Sequence, residues 1–134
     1  SPQMNFLNAT VKVSGNVANL EIAVHSIPLP PEKSKKIIDG GYDGKTVTFG
    51  IRPENVGDSE EFLAKFPQST FESSVRVYEL LGAEVFLYFD LDEFPLTARV
   101  DPATKARPGD TIKFAFDIDK IHVFDKETEQ IITN

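Results

Sequence analysis

The stretch Gly40-Gly41-Tyr42-Asp43-Gly44-Lys45-Thr46 ends in the Gly-Lys-Thr of a phosphate-binding loop, so nucleotide chemistry is the first reading to test. A Walker A loop places four residues between its first glycine and the Gly-Lys-Thr, which would put that glycine at position 39. Asp39 stands there, and a carboxylate repels the phosphates the loop should cradle. Such a loop must also open a helix whose N–H groups face the anion. Here, Val47, Phe49 and Ile51 alternate instead with Thr48, Gly50 and Arg52, the pattern of a strand. The stretch therefore reads as a glycine-rich turn. The acidic residues Asp90, Asp92 and Glu93, and then Asp117 and Asp119, have the chemistry of a hard-cation site or an acid/base pair. The first group lacks a calcium-loop spacing and falls in a turn after Phe89, while the second is expected on a solvent face, so both read as solvated charge. With only His25 and His122 a three-histidine metal site is excluded, His122 reads as a packing partner of Phe124, and no serine sits in a nucleophile elbow. No catalytic, cofactor-binding or metal-binding residue is assigned.

The aromatic residues allow one more kind of chemistry. Phe86 and Tyr88 share a face opposite Val85 and Leu87, and Tyr78 lies near the end of the preceding strand, a platform on which single-stranded bases could stack. A base-stacking surface needs a positive groove, but Glu72, Glu79, Glu84, Asp90 and Asp92 surround this one and the whole chain carries a net charge of -7. A protein partner suits the surface better, and closure of a second side of the core is the plainer alternative. Lys33-Ser34-Lys35-Lys36 is the one dense basic run.

The chain has 134 residues and no cysteine, which suits one core without disulfides and agrees with a reducing compartment. No apolar stretch approaches the ~20 residues of a membrane-spanning helix. Period-two alternation dominates. Val11 and Val13, then Leu20, Ile22 and Val24, flank Ser14-Gly15-Asn16 as a hairpin. Pro53 ends the Val47–Arg52 strand because it lacks an N–H to donate. Val75 and Val77 lead to a turn at Gly82 and a second strand with Val85, Leu87 and Phe89 on its inner face. Leu96, Ala98 and Val100 form a strand stopped by Asp101-Pro102. Arg107-Pro108-Gly109-Asp110 supplies turn chemistry before Ile112, Phe114, Phe116 and Ile118, expected inward, with Lys113, Ala115 and Asp117 outward. Two short helices are expected, over Pro31–Ile38, with glycines after its end, and over Asp58–Phe66, with Asp58 or Ser59 as N-cap. Leu29 to Gly44 reads as a polar excursion. The fold expected is mainly β, an OB-like barrel of short antiparallel strands with one or two short helices, over a single domain of residues 1–134.

Several short motifs in fixed order carry a family likeness: Ser1-Pro2 with Met4-Asn5-Phe6-Leu7, Gly50-Ile51-Arg52-Pro53-Glu54, Glu79-Leu80-Leu81-Gly82, Arg107-Pro108-Gly109-Asp110, and Ile121-His122-Val123-Phe124-Asp125. Together they resemble the C-terminal regulatory domain, a transport-associated OB (TOBE) domain, of the ATP-binding subunits of maltose and multiple-sugar ABC importers. The resemblance implies a fragment whose ATPase domain lies upstream of Ser1 and holds all ATP and Mg chemistry. It implies dimerisation and regulation rather than catalysis. The partners implied are the chain's own ATPase domain, a second copy of the subunit, the membrane permease subunits and, as in some members, a regulatory protein of sugar metabolism; nucleic acid is not among them. It implies a cytoplasmic place at the inner face of the membrane. Where the family often carries Thr-Gly after its Phe-Asp turn, Thr128 is followed by Glu129, a departure expected to touch turn geometry.

Within the signature, Arg52 on the polar side of a strand and Glu54 after a rigid proline are expected to form an Arg–carboxylate pair, to bind a backbone carbonyl through Arg52, or to meet a partner. The scaffold or partner-contact candidates are Arg52, Glu54, Glu79, Gly82, Phe86 and Tyr88, and Asp58 to Pro67 is a candidate for subfamily-specific contacts. Two alternatives stay open: a stand-alone oxyanion- or ligand-binding OB module, and a single-stranded nucleic-acid-binding OB domain.

Overall fold

A computed structural model describes residues 3–134; the Ser1-Pro2 anchor lies outside the described residues. The expected mainly β, OB-like, antiparallel architecture is the one observed, with two short helices. The chain divides into two compact units, one formed by the residues up to Asn5 with Ile51–Asp117, the other by Phe6–Gly50 with Ile118–Asn134.

The second of these units holds a six-stranded sheet. In chain order its strands are β1 (Asn5–Ser14), β2 (Val17–Ile22), β3 (His25–Pro28), β4 (Thr46–Ile51), β11 (His122–Asp125) and β12 (Ile131–Thr133), arranged β12-β11-β4-β1-β2-β3. The hairpin expected around Ser14-Gly15-Asn16 forms with Ser14 opposite Val17. Leu7, Val11, Leu20, Ile22, Val47, Phe49 and Val123 point inward, as their alternation dictates. Val24 does not follow Leu20 and Ile22. The strand stops at Ile22, Ala23 turns with φ 52°, and Val24 is 92% exposed at the tip of the β2–β3 hairpin. Between Leu29 and Gly44 the chain is no loose excursion: helix α1 (Pro31–Asp39) packs on β2 and β12. Ile37 is fully buried there, and the Ser34 hydroxyl accepts from Ala18 N–H at 2.9 Å while donating to Leu29 C=O at 3.0 Å. Lys33, out of the basic run, is buried and donates to the Asn134 carbonyl.

The other unit is built from two three-stranded sheets. One has the order β5-β10-β6, with β5 (Val56–Gly57), β6 (Thr70–Ser74) and β10 (Thr111–Phe116); the other runs β7-β8-β9, with β7 (Val77–Leu81), β8 (Glu84–Leu91) and β9 (Phe94–Val100). Phe71 of β6, Phe89 of β8 and Phe114 and Phe116 of β10 form its aromatic core, Phe89 and Phe114 lying nearly parallel with centroids 3.8 Å apart. Such a stack contributes about 0.5–1.5 kcal/mol beyond the area it buries. Ala115, expected outward, is fully buried because the helix over Glu60–Lys65 and the 3-10 turn Pro67–Ser69 pack on β10 in addition to its paired strands. Ile112 and Ile118 are only partly covered, and the strand ends at Phe116, which leaves Asp117 half-buried instead of on a solvent face. Helix α2 (Glu60–Lys65) is capped by Ser59, whose hydroxyl accepts from Phe62 N–H at 3.1 Å. Phe62 lies over Gly57, where a Cβ would sit 2.5 Å from the ring. Asn5 serves this unit as a surrogate strand residue: its amide donates to Thr97 C=O at 2.9 Å and its side-chain oxygen accepts from Thr97 N–H at 2.8 Å.

Four hairpins have two-residue connections, and in each the first connecting residue has positive φ: Gly15 (60°), Ala23 (52°), Gly82 (63°) and Asp92 (54°). Positive φ at that position matches the right-handed twist of the paired strands. Glycine adopts it freely, whereas a Cβ makes left-handed backbone cost about 1–2 kcal/mol. Glu129, at the position after Thr128 where the resemblance leads to an expected glycine, sits at φ 64°, a left-handed conformation that favours glycine. Ala23→Gly and Glu129→Gly are each expected to raise stability by about 0.5–1 kcal/mol, the released strain less the added freedom of the unfolded chain. An unchanged or lowered urea midpoint for both would contradict this. Phe114→Ala should cost about 3–5 kcal/mol in the same experiment.

Candidate functional site

Backbone geometry disposes of the nucleotide reading. Gly44 N–H donates to Val11 C=O at 2.8 Å and Val11 N–H donates to Lys45 C=O at 2.9 Å, so the Gly44-Lys45 segment is laid along β1. Thr46 then begins β4, a strand where a phosphate loop would open a helix. The N–H groups that would cradle a phosphate are committed to the end of α1 (Gly40, Gly41, Tyr42), to a turn (Lys45) and to β1 (Gly44), so this loop does not fit a nucleotide phosphate. No group of three or more His, Asp or Glu side chains suited to a metal ion occurs among the described residues. Asp90 pairs with Arg76 at 3.2 Å and Asp92 turns the β8–β9 hairpin. His122 pairs with Gly50 across the β11–β4 ladder, and the ring that meets Phe124 edge-on, at 6.0 Å, is Phe6.

Four of the six candidate positions come together on the β7–β8 hairpin. Gly82 makes its turn, with Leu81 opposite Glu84. Glu79 on β7 lies diagonal to Tyr88 on β8, and the Tyr88 hydroxyl donates to Glu79 Oε1 at 2.8 Å. That bond to a carboxylate, followed by burial and the carboxylate's charge, raises the Tyr88 pKa above the usual phenol value. Phe86 is not part of an exposed platform: it is only 4% exposed and closes a second side of the core. Tyr78 is covered by the guanidinium of Arg107, 4.4 Å from its centroid. What the hairpin does expose is aliphatic. Val77, Leu80 and Leu81 are 45%, 58% and 53% exposed along β7, the edge strand of its sheet. Their signal in the sequence is the break in alternation at Leu80-Leu81, two adjacent leucines that a single inner face cannot take.

The other two candidates stand apart from the hairpin. Pro53 is buried at the start of a short 3-10 turn, Pro53–Asn55, and leaves Arg52 and Glu54 exposed on either side of it. The pair expected between them does not form, nor does either side chain hydrogen-bond to another described residue. Sequence reasoning missed one polar centre. Asp125 Oδ1 accepts from Glu127 N–H and Thr128 N–H, both at 2.9 Å, and its Oδ2 accepts from the Tyr42 hydroxyl at 2.8 Å. The Thr128 N–H first, and then the Tyr42 hydroxyl, hold the Asp125 carboxyl below its ordinary pKa; the same bond raises that of Tyr42. Asp125 enters the sequence reading only as part of a motif, and its Asp-x-x-Thr spacing is a turn signal.

Because Tyr88 is held protonated by Glu79, its contribution is complete below the unfolded-state pKa near 10 and is lost as pH rises through the higher folded-state value. Tyr88→Phe should cost about 0.5–1.5 kcal/mol at neutral pH, toward the lower end for a bond only part-buried, and should flatten the alkaline limb of stability against pH. A variant with the parent's alkaline limb would show that this bond contributes nothing.

Residues 1–56 match the family model described as the MalK OB fold domain, and residues 49–124 match the TOBE domain. The chain is 36% identical over 129 residues to the oligosaccharides import ATP-binding protein MsmX of Bacillus subtilis, a match covering 96% of this chain and 34% of that protein. It is 38% identical over 134 residues to the multiple sugar-binding transport ATP-binding protein MsmK of Streptococcus mutans, covering 98% and 34%. With the trehalose/maltose import ATP-binding protein MalK of Thermococcus litoralis the identity is 31% over 133 residues, covering 98% and 35%. The chain thus spans about a third of the length of these relatives. Among solved structures, the cytoplasmic molybdate-binding protein ModG has a similar fold, with a TM-score of 0.63 and 13% identity over 89% of this chain and 94% of that one.

Proposed function

The chain belongs to the TOBE domain family, joined at its N-terminal side to a MalK OB fold domain, and from that premise we propose that residues 1–134 act as one regulatory and dimerisation domain of a sugar importer's ATP-binding subunit. In this reading the full subunit couples ATP hydrolysis to carbohydrate uptake at the cytoplasmic face of the membrane, and ATP and Mg are held by its ATPase domain. This chain turns over no ATP. Its relatives support the reading, since each is named as an ATP-binding protein of sugar import or transport and the match covers about a third of each.

One observation carries the dimerisation role: the exposed aliphatic run Val77, Leu80 and Leu81 on an edge strand whose own hairpin is braced by Tyr88 and Glu79. Three large apolar side chains about half exposed on one short edge strand are a liability in a monomer. Burying them against the same strand of a second copy, or against an ATPase domain, contributes roughly half of the ~1.5–3 kcal/mol of complete burial for each side chain, since each is already about half covered. Arg52 and Glu54, exposed and unpaired, are available to the ATPase domain, a permease subunit or a regulatory protein as polar contacts.

Leu80→Glu together with Leu81→Glu should weaken self-association of the full-length ATP-binding subunit about tenfold or more in sedimentation velocity, with the thermal midpoint of the 134-residue chain unchanged. Self-association equal to the parent's would remove β7 from the interface. Specific ATP turnover by this chain, sensitive to substitutions within it, would defeat the regulatory reading as a whole.

A further inference from the structure

The outer face of the six-stranded sheet carries a groove that the dimerisation reading does not use. Phe124 on β11 is opposite Thr48 on β4 in register, and Phe6 on β1 meets Phe124 edge-on with 54% of its surface exposed. Between these rings and the β11–β12 turn lies a cleft of about 340 Å³, lined by Phe6, Thr48, Phe124, Asp125 and that turn. A second cleft of about 390 Å³, which shares Asp125 and Lys126 with the first, continues past Thr46 to Tyr42. Each is within the size range of small-ligand sites, about 300–1,000 Å³.

The lining decides what class of ligand fits. Its two ends are aromatic, Phe6 with Phe124 at one and Tyr42 at the other. Thr46 and Thr48, two residues apart on β4, share one side of the strand between them. Asp125 is a fixed acceptor: two backbone N–H groups and the Tyr42 hydroxyl hold its carboxylate, and an ionised carboxylate has lone pairs beyond those three bonds. Thr48 donates weakly to Asn8 Oδ1, at 3.4 Å, and keeps its own lone pairs. Lys45 and Lys126 add donors, but Asp125, Glu127 and Glu129 outnumber them, so the local charge is negative and an oxyanion or phosphate is disfavoured. The polar floor is equally unsuited to a lipid chain. Hydroxyl groups both donate and accept, and a sugar ring offers an apolar C–H face to an aromatic ring while its hydroxyls reach donors and acceptors alongside. From this combination we infer that the groove binds a neutral carbohydrate, an oligosaccharide of two or three rings spanning the two clefts.

The site does not require the chain to dimerise, so it is tested separately on the 134-residue chain. Nitrogen-15 amide spectra recorded with glucose, maltotriose and raffinose in turn should show saturable shifts in the millimolar range, concentrated at Thr46, Thr48, Phe124 and Lys126. Maltotriose or raffinose should saturate at lower concentration than glucose. Phe6→Ala, at an exposed position, should weaken binding about two- to tenfold with the thermal midpoint kept. Should that midpoint fall, Thr46→Val, also exposed, carries the same comparison. Shifts that are absent, unsaturable or unchanged in the variants would overturn the inference, as would tighter binding of molybdate or phosphate at the same amides.

Discussion

Phe89 and Phe114, nearly parallel and 3.8 Å apart, set the geometry on which one unit's surface depends. Their contact locks β8 to β10, and with β8 fixed its pleat leaves no choice about the remaining side chains. Val85, Leu87, Phe89 and Leu91 are buried on one side, so Phe86 and Tyr88 fall on the other. Phe86 finds cover there. Tyr88 reaches across the ladder to Glu79 and ties the edge strand β7 to β8. A carboxylate that would otherwise project from that edge and discourage pairing is drawn back over its own sheet. The exposed valine and leucines of β7 are thus presented by a chain of contacts that begins in the core, and they are presented on a rigid support.

Alternation makes β1, β2, β4, β8, β9 and β10 legible from residue types alone, because each has one face in a core and side chains then repeat with a period of two. The strands it does not reveal are those with too few apolar residues to set a period. In β6, Thr-Phe-Glu-Ser-Ser, only Phe71 points inward, and β3 and β12 are short edge strands held by backbone pairing. Ala115 is assigned outward by the same rule that places its neighbours correctly, and for Phe86 that rule leaves an exposed platform and a second covered side both open. The rule counts one buried face, and these two strands have cover on both.

The candidate residues divide along a similar line. Glu79, Gly82, Phe86 and Tyr88 stand out in a motif around one glycine turn, and a hairpin brings such residues together by construction. Arg52 and Glu54 are closer in sequence yet do not meet, because Pro53 packs inward and starts a 3-10 turn that holds both side chains in solvent. The Asp125 centre is invisible in the sequence because its partner Tyr42 lies 83 residues away. Other acidic residues of the chain are turn chemistry of this kind. Asp43, Asp101 and Asp110 also spend a carboxylate oxygen on a backbone N–H.

Each unit keeps one cluster of exposed apolar side chains, and the two clusters differ in a way that argues for different occupants. The cluster on β7 is aliphatic and sits on a strand edge, with Val77 and Leu81 on one face beside the Tyr88–Glu79 pair and Leu80 on the other. Such a surface gains most from another flat apolar surface, since the return scales with the area withdrawn from water. Phe6, Phe124 and Ile131 instead lie across sheet positions, with Ile131 opposite Phe124 on the neighbouring strand, beside a groove edged by hydroxyls and carboxylates. Covering that groove with an apolar face would strand its polar atoms without partners, at about 1–3 kcal/mol each. A ligand that brings its own hydroxyls avoids that cost. The two surfaces are therefore not interchangeable, and a partner that satisfies one would be penalised at the other.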